Sequence, residues 1–232
     1  MKRNLFLLLI LLLVLGQKNS YIITENKNAD YCGESYVASK IGRYRNDKFV
    51  PVMVYQKTNF KGTANFVGMG SLFLLNNTVS IITSEHLFNK ENRNSFFFCK
   101  NIFTGEIYDI KRVVSTGRKI TKVPSDIILL EIGKAKKISH IFKEKIEVSS
   151  LINYDKPNNI LVSLLTGEKV RITEEAIVYS NKYKIKYLVI DYVSEKGESG
   201  TGFVDNKNNI YVLKASIGEN RKKSIVYGPL SF

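Results

Sequence analysis

The sequence has few of the residues that build metal centres. Only two cysteines and two histidines occur among its 232 residues, and they lie far apart along the chain. Zinc and related metal sites take closely spaced Cys and His ligands. The sequence therefore predicts no metal site, and we expect no cofactor.

Proline is also scarce, with four residues, while 44% of the residues are hydrophobic. Disordered chains are usually rich in proline and poor in apolar residues. A chain of this length can bury a sizeable core, as one compact unit or as two small subdomains. We expect a folded protein and a monomer.

Long apolar runs are missing except at the beginning of the chain. There Lys2 and Arg3 precede the run Leu5–Leu15, which ends at Gly16. A positive start, a short apolar run and a small residue are typical of a secretory signal peptide, so we expect a mature chain from Gln17. A retained membrane anchor is the alternative, but a spanning helix needs about 20 apolar residues. The protein is predicted to be secreted or periplasmic, with no membrane span after cleavage.

The two cysteines, Cys32 and Cys99, can be paired or free in such a protein. Disulfides form in exported proteins, and a bond between these residues would close a long loop and constrain the unfolded chain. Two free thiols are the alternative. The sequence allows a tentative Cys32–Cys99 disulfide without establishing it.

Acidic residues are outnumbered by basic ones, 21 to 35, which gives a formal net charge of +14. Such an excess occurs in proteins that bind nucleic acids or anionic cell-surface polymers. The lysines are scattered, apart from Lys134–Lys145 and Arg221–Lys223. We expect mostly solvated surface charge. Anionic surface polymers stay an alternative partner, and nucleic acid is not expected.

Short β-branched and aromatic runs recur along the rest of the chain between clusters of Gly, Asn, Asp and Lys, and such runs predict strands. The first six are Phe49–Gln56, Asn65–Leu75, Val79–Thr83, Ser95–Ile102, Glu106–Ser115 and Asp126–Ile132. The second six are Asn159–Leu165, Val170–Ser180, Lys186–Val193, Thr201–Val204, Asn209–Ile217 and Ser224–Leu230. The pattern predicts an all-β protein built from barrels or a sandwich.

Hydrolysis of an amide by a serine needs a histidine as base, and the sequence offers two. His140 lies among lysines, whose positive field would lower its basicity. His86 follows the apolar run Val79–Ile82 and the residues Thr83–Glu85. A histidine at the end of a strand is more often structural than catalytic, so its assignment depends on the residues around it.

Three blocks resemble those of the chymotrypsin-like serine proteases. Gly68–Leu75 and the strand that leads to His86 are similar to the family's histidine block, and Asp126–Leu130 resembles its aspartate block. Gly197–Gly200 resembles its nucleophile turn. The order His, Asp, Ser differs from that of α/β-hydrolases and subtilisins. The resemblance is to bacterial trypsin-like and HtrA-like members, without a PDZ segment.

The resemblance implies two packed six-stranded antiparallel β-barrels and a secreted serine endopeptidase that acts on proteins or peptides. Ser199 would be the nucleophile, His86 the base and then the acid, and Asp126 the residue that orients His86. The N–H groups of Gly197 and Ser199 would form the oxyanion hole for an acyl-enzyme reaction.

The same resemblance divides the chain and places a substrate pocket. Residues 1–16 would be the signal peptide, 17–40 an N-terminal extension, 41–135 the first barrel, 136–145 a linker and 146–232 the second barrel. The residues expected at the pocket are Val193, Ser216, Ile217, Gly218 and Ile225. Without an acidic residue at its base, the pocket is expected to prefer medium apolar side chains over Lys or Arg.

Four residues depart from the family pattern, among them Thr201 and Gly202, which replace the usual small residue and Pro. Glu85 stands before His86 and Glu198 before Ser199, where the family usually has a small residue and Asp or Asn. None of the four removes a member of the triad. An inactive homologue that binds a partner through the same surface is therefore an alternative function. A cationic surface-binding module unrelated to proteases is a third interpretation.

Lys40-Ile41-Gly42 faintly resembles the activation cut of trypsin-like zymogens. In those proteins a freed isoleucine amine pairs with the carboxylate beside the nucleophile, which here would be Glu198. An ordinary loop lysine is the alternative, and it is favoured by the residues Arg43-Tyr44 that follow.

Overall fold

The structure is a computed structural model of the chain and describes residues 32–57, 63–88, 95–116, 126–133, 160–179, 184–217 and 223–230. The predicted signal peptide, the linker 136–145, His140 and Gly218 lie outside the described residues. Among the described residues, one α-helix, α1 (Cys32–Ser39), precedes the strands. Within the described ranges no helix is long and apolar enough to cross a membrane.

The first six strands close into an antiparallel barrel with the order β1-β2-β3-β6-β5-β4. They are β1 (Val50–Lys57), β2 (Ala64–Leu75), β3 (Thr78–Thr83), β4 (Phe96–Asn101), β5 (Ile107–Thr116) and β6 (Ile128–Ile132). Asn76 and Asn77 join β2 to β3 with φ angles of 47° and 64°. Two successive residues with positive φ match the twist of a tight hairpin, and asparagine tolerates this conformation.

The second six strands close into another antiparallel barrel, with the order β10-β11-β12-β9-β8-β7. They are β7 (Ile160–Ser163), β8 (Lys169–Tyr179), β9 (Lys184–Ile190), β10 (Gly202–Val204), β11 (Ile210–Ile217) and β12 (Lys223–Leu230). The predicted all-β double barrel is confirmed, because each of the twelve predicted strands is present within a few residues of its expected bounds.

Apolar side chains fill both barrels and the seam between them. Phe73 and Ile82 of the first barrel pack with Val204, Val212 and Tyr227 of the second in one buried cluster. This cluster joins the barrels, so the strand ends on either side of the seam are held in fixed positions relative to one another.

A further cluster packs helix α1 onto the outside of the first barrel. Successive residues of a strand point to opposite faces. On β1, Val52 and Val54 therefore face the barrel interior, whereas Tyr55 packs with Val37 of α1. The Tyr55 hydroxyl also donates a hydrogen bond to Glu34 Oε1 at a distance of 2.5 Å. The helix is thereby fixed to the first barrel.

Cys99 is a free thiol in the core of the first barrel, so the tentative Cys32–Cys99 disulfide is not formed in this structure. Strand alternation explains the error. On β4 the neighbouring Phe98 faces the cluster under α1, while Cys99 points into the barrel interior. The sulfur of Cys99 is therefore on the face of β4 opposite the helix that begins at Cys32.

Candidate active site

His86 and Asp126 lie side by side at the end of the first barrel. β3 pairs antiparallel with β6, and the last pair of this ladder is Thr83 with Ile128. The residues just after β3 therefore meet those just before β6. A single 3₁₀ turn, Glu85–Leu87, carries His86 at this point.

Asp126 holds both the backbone and the ring of His86. The Asp126 Oδ1 atom accepts the His86 backbone N–H at 2.8 Å, and Oδ2 lies 2.5 Å from the ring Nδ1. The Asp126 side chain is 13% exposed and the His86 side chain 46% exposed. With Nδ1 facing the carboxylate, Nε2 is the ring nitrogen left to exchange protons with a reactant.

The turn that carries Ser199 is built from its own backbone bonds. The Glu198 N–H donates to Glu195 O at 3.2 Å, and the Glu198 carbonyl accepts the N–H and the hydroxyl of Thr201 at 2.9 and 2.6 Å. Gly197 and Gly200 have φ angles of +99° and +89°, which glycine adopts without strain. The result is a compact reversal that presents Ser199.

This turn of the second barrel is docked on the first barrel. The Met69 N–H of β2 donates to the Ser199 carbonyl at 2.8 Å. A Cβ at Gly200 would lie 2.0 Å from the Met69 carbonyl oxygen and 2.4 Å from Thr83 Oγ1, so only glycine fits there. The Ser199 turn is consequently held against β2 and the end of β3.

The carbonyl of Leu213 on β11 links the Ser199 turn to the His86 turn. It accepts the Gly200 N–H at 2.8 Å and the hydroxyl of Ser84, two residues before His86, at 2.9 Å. The three predicted triad residues therefore lie at one seam between the barrels.

The Ser199 hydroxyl itself faces β11. Its Oγ donates to the Lys214 carbonyl at 2.9 Å. Among the described residues, no hydrogen bond joins Ser199 to His86. The His86–Asp126 half of the predicted triad is thus assembled, and the serine hydroxyl has another partner.

The predicted oxyanion donors are on the same turn. Within the part of the chain that the structure describes, neither the Gly197 N–H nor the Ser199 N–H donates a hydrogen bond to the protein. Gly197 packs closely against Phe66 and Gly33, since a Cβ on it would lie 2.8 Å from the Phe66 ring and 3.1 Å from Gly33 Cα. Neither N–H group is therefore occupied by a protein acceptor within the described residues.

The Glu198 side chain points away from the Ser199 hydroxyl and is fully buried. Its Oε1 accepts Lys40 Nζ at 2.9 Å and the Tyr192 hydroxyl at 3.0 Å, while Oε2 accepts the Glu195 N–H at 2.8 Å. Burial alone would lower the pKa of Lys40, but hydrogen bonds to Glu198 and Tyr36 outweigh it and the pKa is raised. Burial, followed by the charge of Glu198, raises the pKa of Tyr192.

The architecture of the chain can be compared with that of known proteins. No protein-family model matches the chain, and no curated protein matches it. Among solved structures, it is similar to the MamO protease domain from Magnetospirillum magneticum, with 17% identity over 80% of this chain and 94% of that one and a TM-score of 0.52. It also matches the active form of the Rv3671c protease from M. tuberculosis, with 13% identity over 80% and 77% and a TM-score of 0.49.

The chain has the chymotrypsin-like double-barrel fold. At these identities the likeness shows the fold, and the chemistry has to be argued from the residues of this chain.

Sequence reasoning missed a lysine and a tyrosine beside the site of this chymotrypsin-like fold. Lys214 Nζ donates to the Tyr227 hydroxyl at 3.3 Å. Burial raises the pKa of Tyr227, the charge of Lys214 opposes that rise, and the charge of Asp126 adds to it. A lysine within the apolar run of β11 was the signal available in the sequence.

The expected pocket residues are only partly described. Val193 is 50% exposed and lines an open cleft of about 750 Å³ with Lys40, Lys169, Arg171 and others. Ser216 and Ile217 lie at the end of β11. Ile225 is buried on β12, where it pairs with Ala215 and Val189. Their role at a substrate pocket stays a prediction.

A metal centre has no ligand set in the described ranges, where no group of three or more His, Cys, Asp or Glu side chains could hold an ion.

Proposed function

We propose that the protein is a secreted serine endopeptidase and that Ser199, His86 and Asp126 form its catalytic triad. The observation that carries the proposal is the His86–Asp126 pair, with bonds to ring and backbone, at the seam where the Ser199 turn docks. A carboxylate that orients a histidine in this way prepares it to act as a general base.

The first half of the reaction forms an acyl-enzyme. Ser199 Oγ attacks the carbonyl carbon of a peptide bond while its proton passes to His86 Nε2, and the carbonyl electrons move onto oxygen. The N–H groups of Gly197 and Ser199 stabilise this oxyanion. When the intermediate collapses, the C–N bond breaks and His86 gives its proton to the leaving amine.

The second half releases the product acid. His86 takes a proton from water as the water oxygen attacks the acyl carbon, which again places negative charge on the carbonyl oxygen. Collapse then breaks the bond to Ser199 Oγ, and the proton returns from His86 to Oγ. Asp126 stabilises the imidazolium ion that forms in both halves.

Before the first step, the Ser199 hydroxyl has to leave the Lys214 carbonyl. The proposed reaction requires a rotation about the Cα–Cβ bond that exchanges this hydrogen bond for one to His86. A neutral hydrogen bond is worth about 1 kcal/mol net, so the exchange is a small part of the barrier. Catalytic hydrogen bonds often tighten only when substrate is bound.

The substrates of such an enzyme are proteins or peptides. The residues proposed to contact them are Val193, Ser216, Ile217, Gly218 and Ile225. Location outside the cytoplasm is proposed on the sequence of residues 1–16.

A catalytically inactive, secreted binding protein is the second candidate function. One observation favours it: the Ser199 hydroxyl is bonded to the Lys214 carbonyl rather than to His86. In that case the same seam would bind a partner without cleaving it.

Labelling with a fluorophosphonate probe separates the two functions. The probe reacts covalently with an activated serine, so the wild-type protein should be labelled, and Ser199→Ala and His86→Gln should not. Ser80→Ala is the matched control and should be labelled, because Ser80 is a buried serine on β3 of the same barrel as His86 and has no proposed role. No labelling of the folded wild type would favour the binding protein, and labelling of Ser199→Ala would exclude Ser199 as the nucleophile.

A further inference from the structure

The carboxylate beside the nucleophile is buried, and one positive charge compensates it. Among the described partners of Glu198, only Lys40 is cationic, and its Nζ lies 2.9 Å from Oε1. A buried carboxylate without a partner is strongly unfavourable, and removing one member of a buried ion pair leaves that cost exposed. Where the Glu198 side chain lies therefore depends on Lys40.

The position of Glu198 also determines the conformation of the Gly197–Ser199 turn, which carries the two proposed oxyanion donors. Its N–H and its carbonyl make the bonds that close the turn, to Glu195 and to Thr201. Its side chain reaches back to the N–H of Glu195 as well. The peptide unit between Glu198 and Ser199 carries one of the two proposed oxyanion donors, so a shift of Glu198 would move that donor.

Helix α1 delivers Lys40 and contacts the turn a second time. Near the start of the helix, a Cβ on Gly33 would lie 3.3 Å from Lys196 O and 3.6 Å from Gly197 Cα. Just after the helix ends, Lys40 reaches Glu198, with its Nζ also over the rings of Tyr36 and Tyr192 at 4.5 and 5.5 Å from their centroids. Since α1 is fixed to the first barrel, the turn is braced from outside at two points.

We propose that Lys40 is a positioning residue: its ammonium, paired with Glu198, sets the Gly197–Ser199 turn in the uncut chain. The pairing that a freed Ile41 amine would supply after an activation cut is thus made by the side chain of the preceding residue. This inference rests on the proposed function, because it concerns how the oxyanion donors of that reaction are held.

The test uses Lys40→Met combined with Glu198→Gln in the full chain. This double variant lacks the Lys40–Glu198 ion pair but leaves no charge buried without a partner. It should therefore fold where Lys40→Met alone could fail. One misplaced oxyanion donor lowers kcat by roughly 10²–10³-fold. We expect kcat for a peptide substrate to fall about 100-fold with KM changed less than threefold, and Lys40→Arg to keep at least a tenth of wild-type kcat.

Lys111→Met is the control, because Lys111 is an exposed lysine on β5 of the first barrel and is not among the residues that line the cleft. It should keep wild-type kcat. Propylammonium, which replaces the missing chain and charge, should restore part of the kcat of Lys40→Ala. A purely structural role for Lys40 would lower the melting temperature without this dependence on a cation.

The outcomes separate this inference from the proposed function. If folded wild-type protein does not react with a fluorophosphonate, the proposed function fails. If the wild type reacts but the double variant has wild-type kcat, only the role of Lys40 is overturned. Mass spectrometry of the labelled protein should show an intact bond between Lys40 and Ile41. Label found only on chains that begin at Ile41 would also overturn it.

Discussion

Replacement of Gly200 by alanine tests whether the Ser199 turn is docked on the first barrel as described. The new Cβ would lie 2.0 Å from the Met69 carbonyl oxygen, whereas ordinary contact begins near 3.4 Å. The φ angle of +89° adds strain for any residue with a side chain. Since the turn cannot shift without leaving β2, the Met69–Ser199 hydrogen bond should weaken as well.

The magnitude follows from these terms. Positive φ costs alanine roughly 1–2 kcal/mol, part of which is offset by the loss of glycine's freedom in the unfolded chain. The shift of backbone needed to relieve the clash with Met69 adds about 1–3 kcal/mol to the loss of stability, and the weakened hydrogen bond adds about 1 kcal/mol. We expect Gly200→Ala to lower the free energy of unfolding by about 3–5 kcal/mol.

Gly105→Ala supplies the control, because Gly105 also has positive φ, at +72°, but a methyl group there would meet nothing within 4 Å, so that only the backbone strain is introduced. It should cost about 1 kcal/mol. Equilibrium unfolding in urea gives both free energies, and fluorophosphonate labelling reports the site. A difference between the two variants of less than about 1 kcal/mol would refute the close docking of Ser199 on β2.

Three further predictions concern other residues. Asp126→Asn should leave the melting temperature nearly unchanged while lowering kcat about 10⁴-fold, because the amide would favour the wrong tautomer of His86; a loss below tenfold would contradict the triad. The Cys99 thiol should react with a soluble disulfide reagent only after unfolding, because burial shields it and raises its pKa, and rapid reaction of native protein would contradict its position. The pKa of Lys40 is raised above 10.5, so its stabilisation should be complete below pH 10.5 and disappear as pH rises further; the melting-temperature gap between wild type and the Lys40→Met, Glu198→Gln double variant should therefore shrink there, and a widening gap would contradict the pair.

The strands were predictable because their signal is local. Alternating apolar residues and turn residues such as Asn76 and Asn77 occur within each strand or hairpin, so twelve strands could be read from neighbouring residues. The proximity of His86 to Asp126 was predictable for a related reason. Each stands at the end of an apolar strand, and the resemblance to a known fold said which strands pair.

The contacts that the sequence did not reveal are long-range contacts of single side chains. Lys40 and Glu198 are 158 positions apart, and no periodicity connects them. Helix α1 is short, and Val37 is the one fully buried apolar side chain among those described in it, so its pattern is weak. Whether Cys99 points into the barrel or toward α1 depends on the register of β4, which composition does not determine.

The Lys40–Glu198 and Met69–Ser199 contacts also set the order in which the protein can become competent. Each joins helix α1 or the first barrel to a turn that lies far along the sequence. Contacts between distant residues form late and slowly, because the loop entropy must be overcome first. A nascent chain that has not yet reached Glu198 and Ser199 has neither contact. The Ser199 turn therefore lacks both contacts until it docks on the first barrel, so the proposed catalytic residues come together only after both barrels have formed.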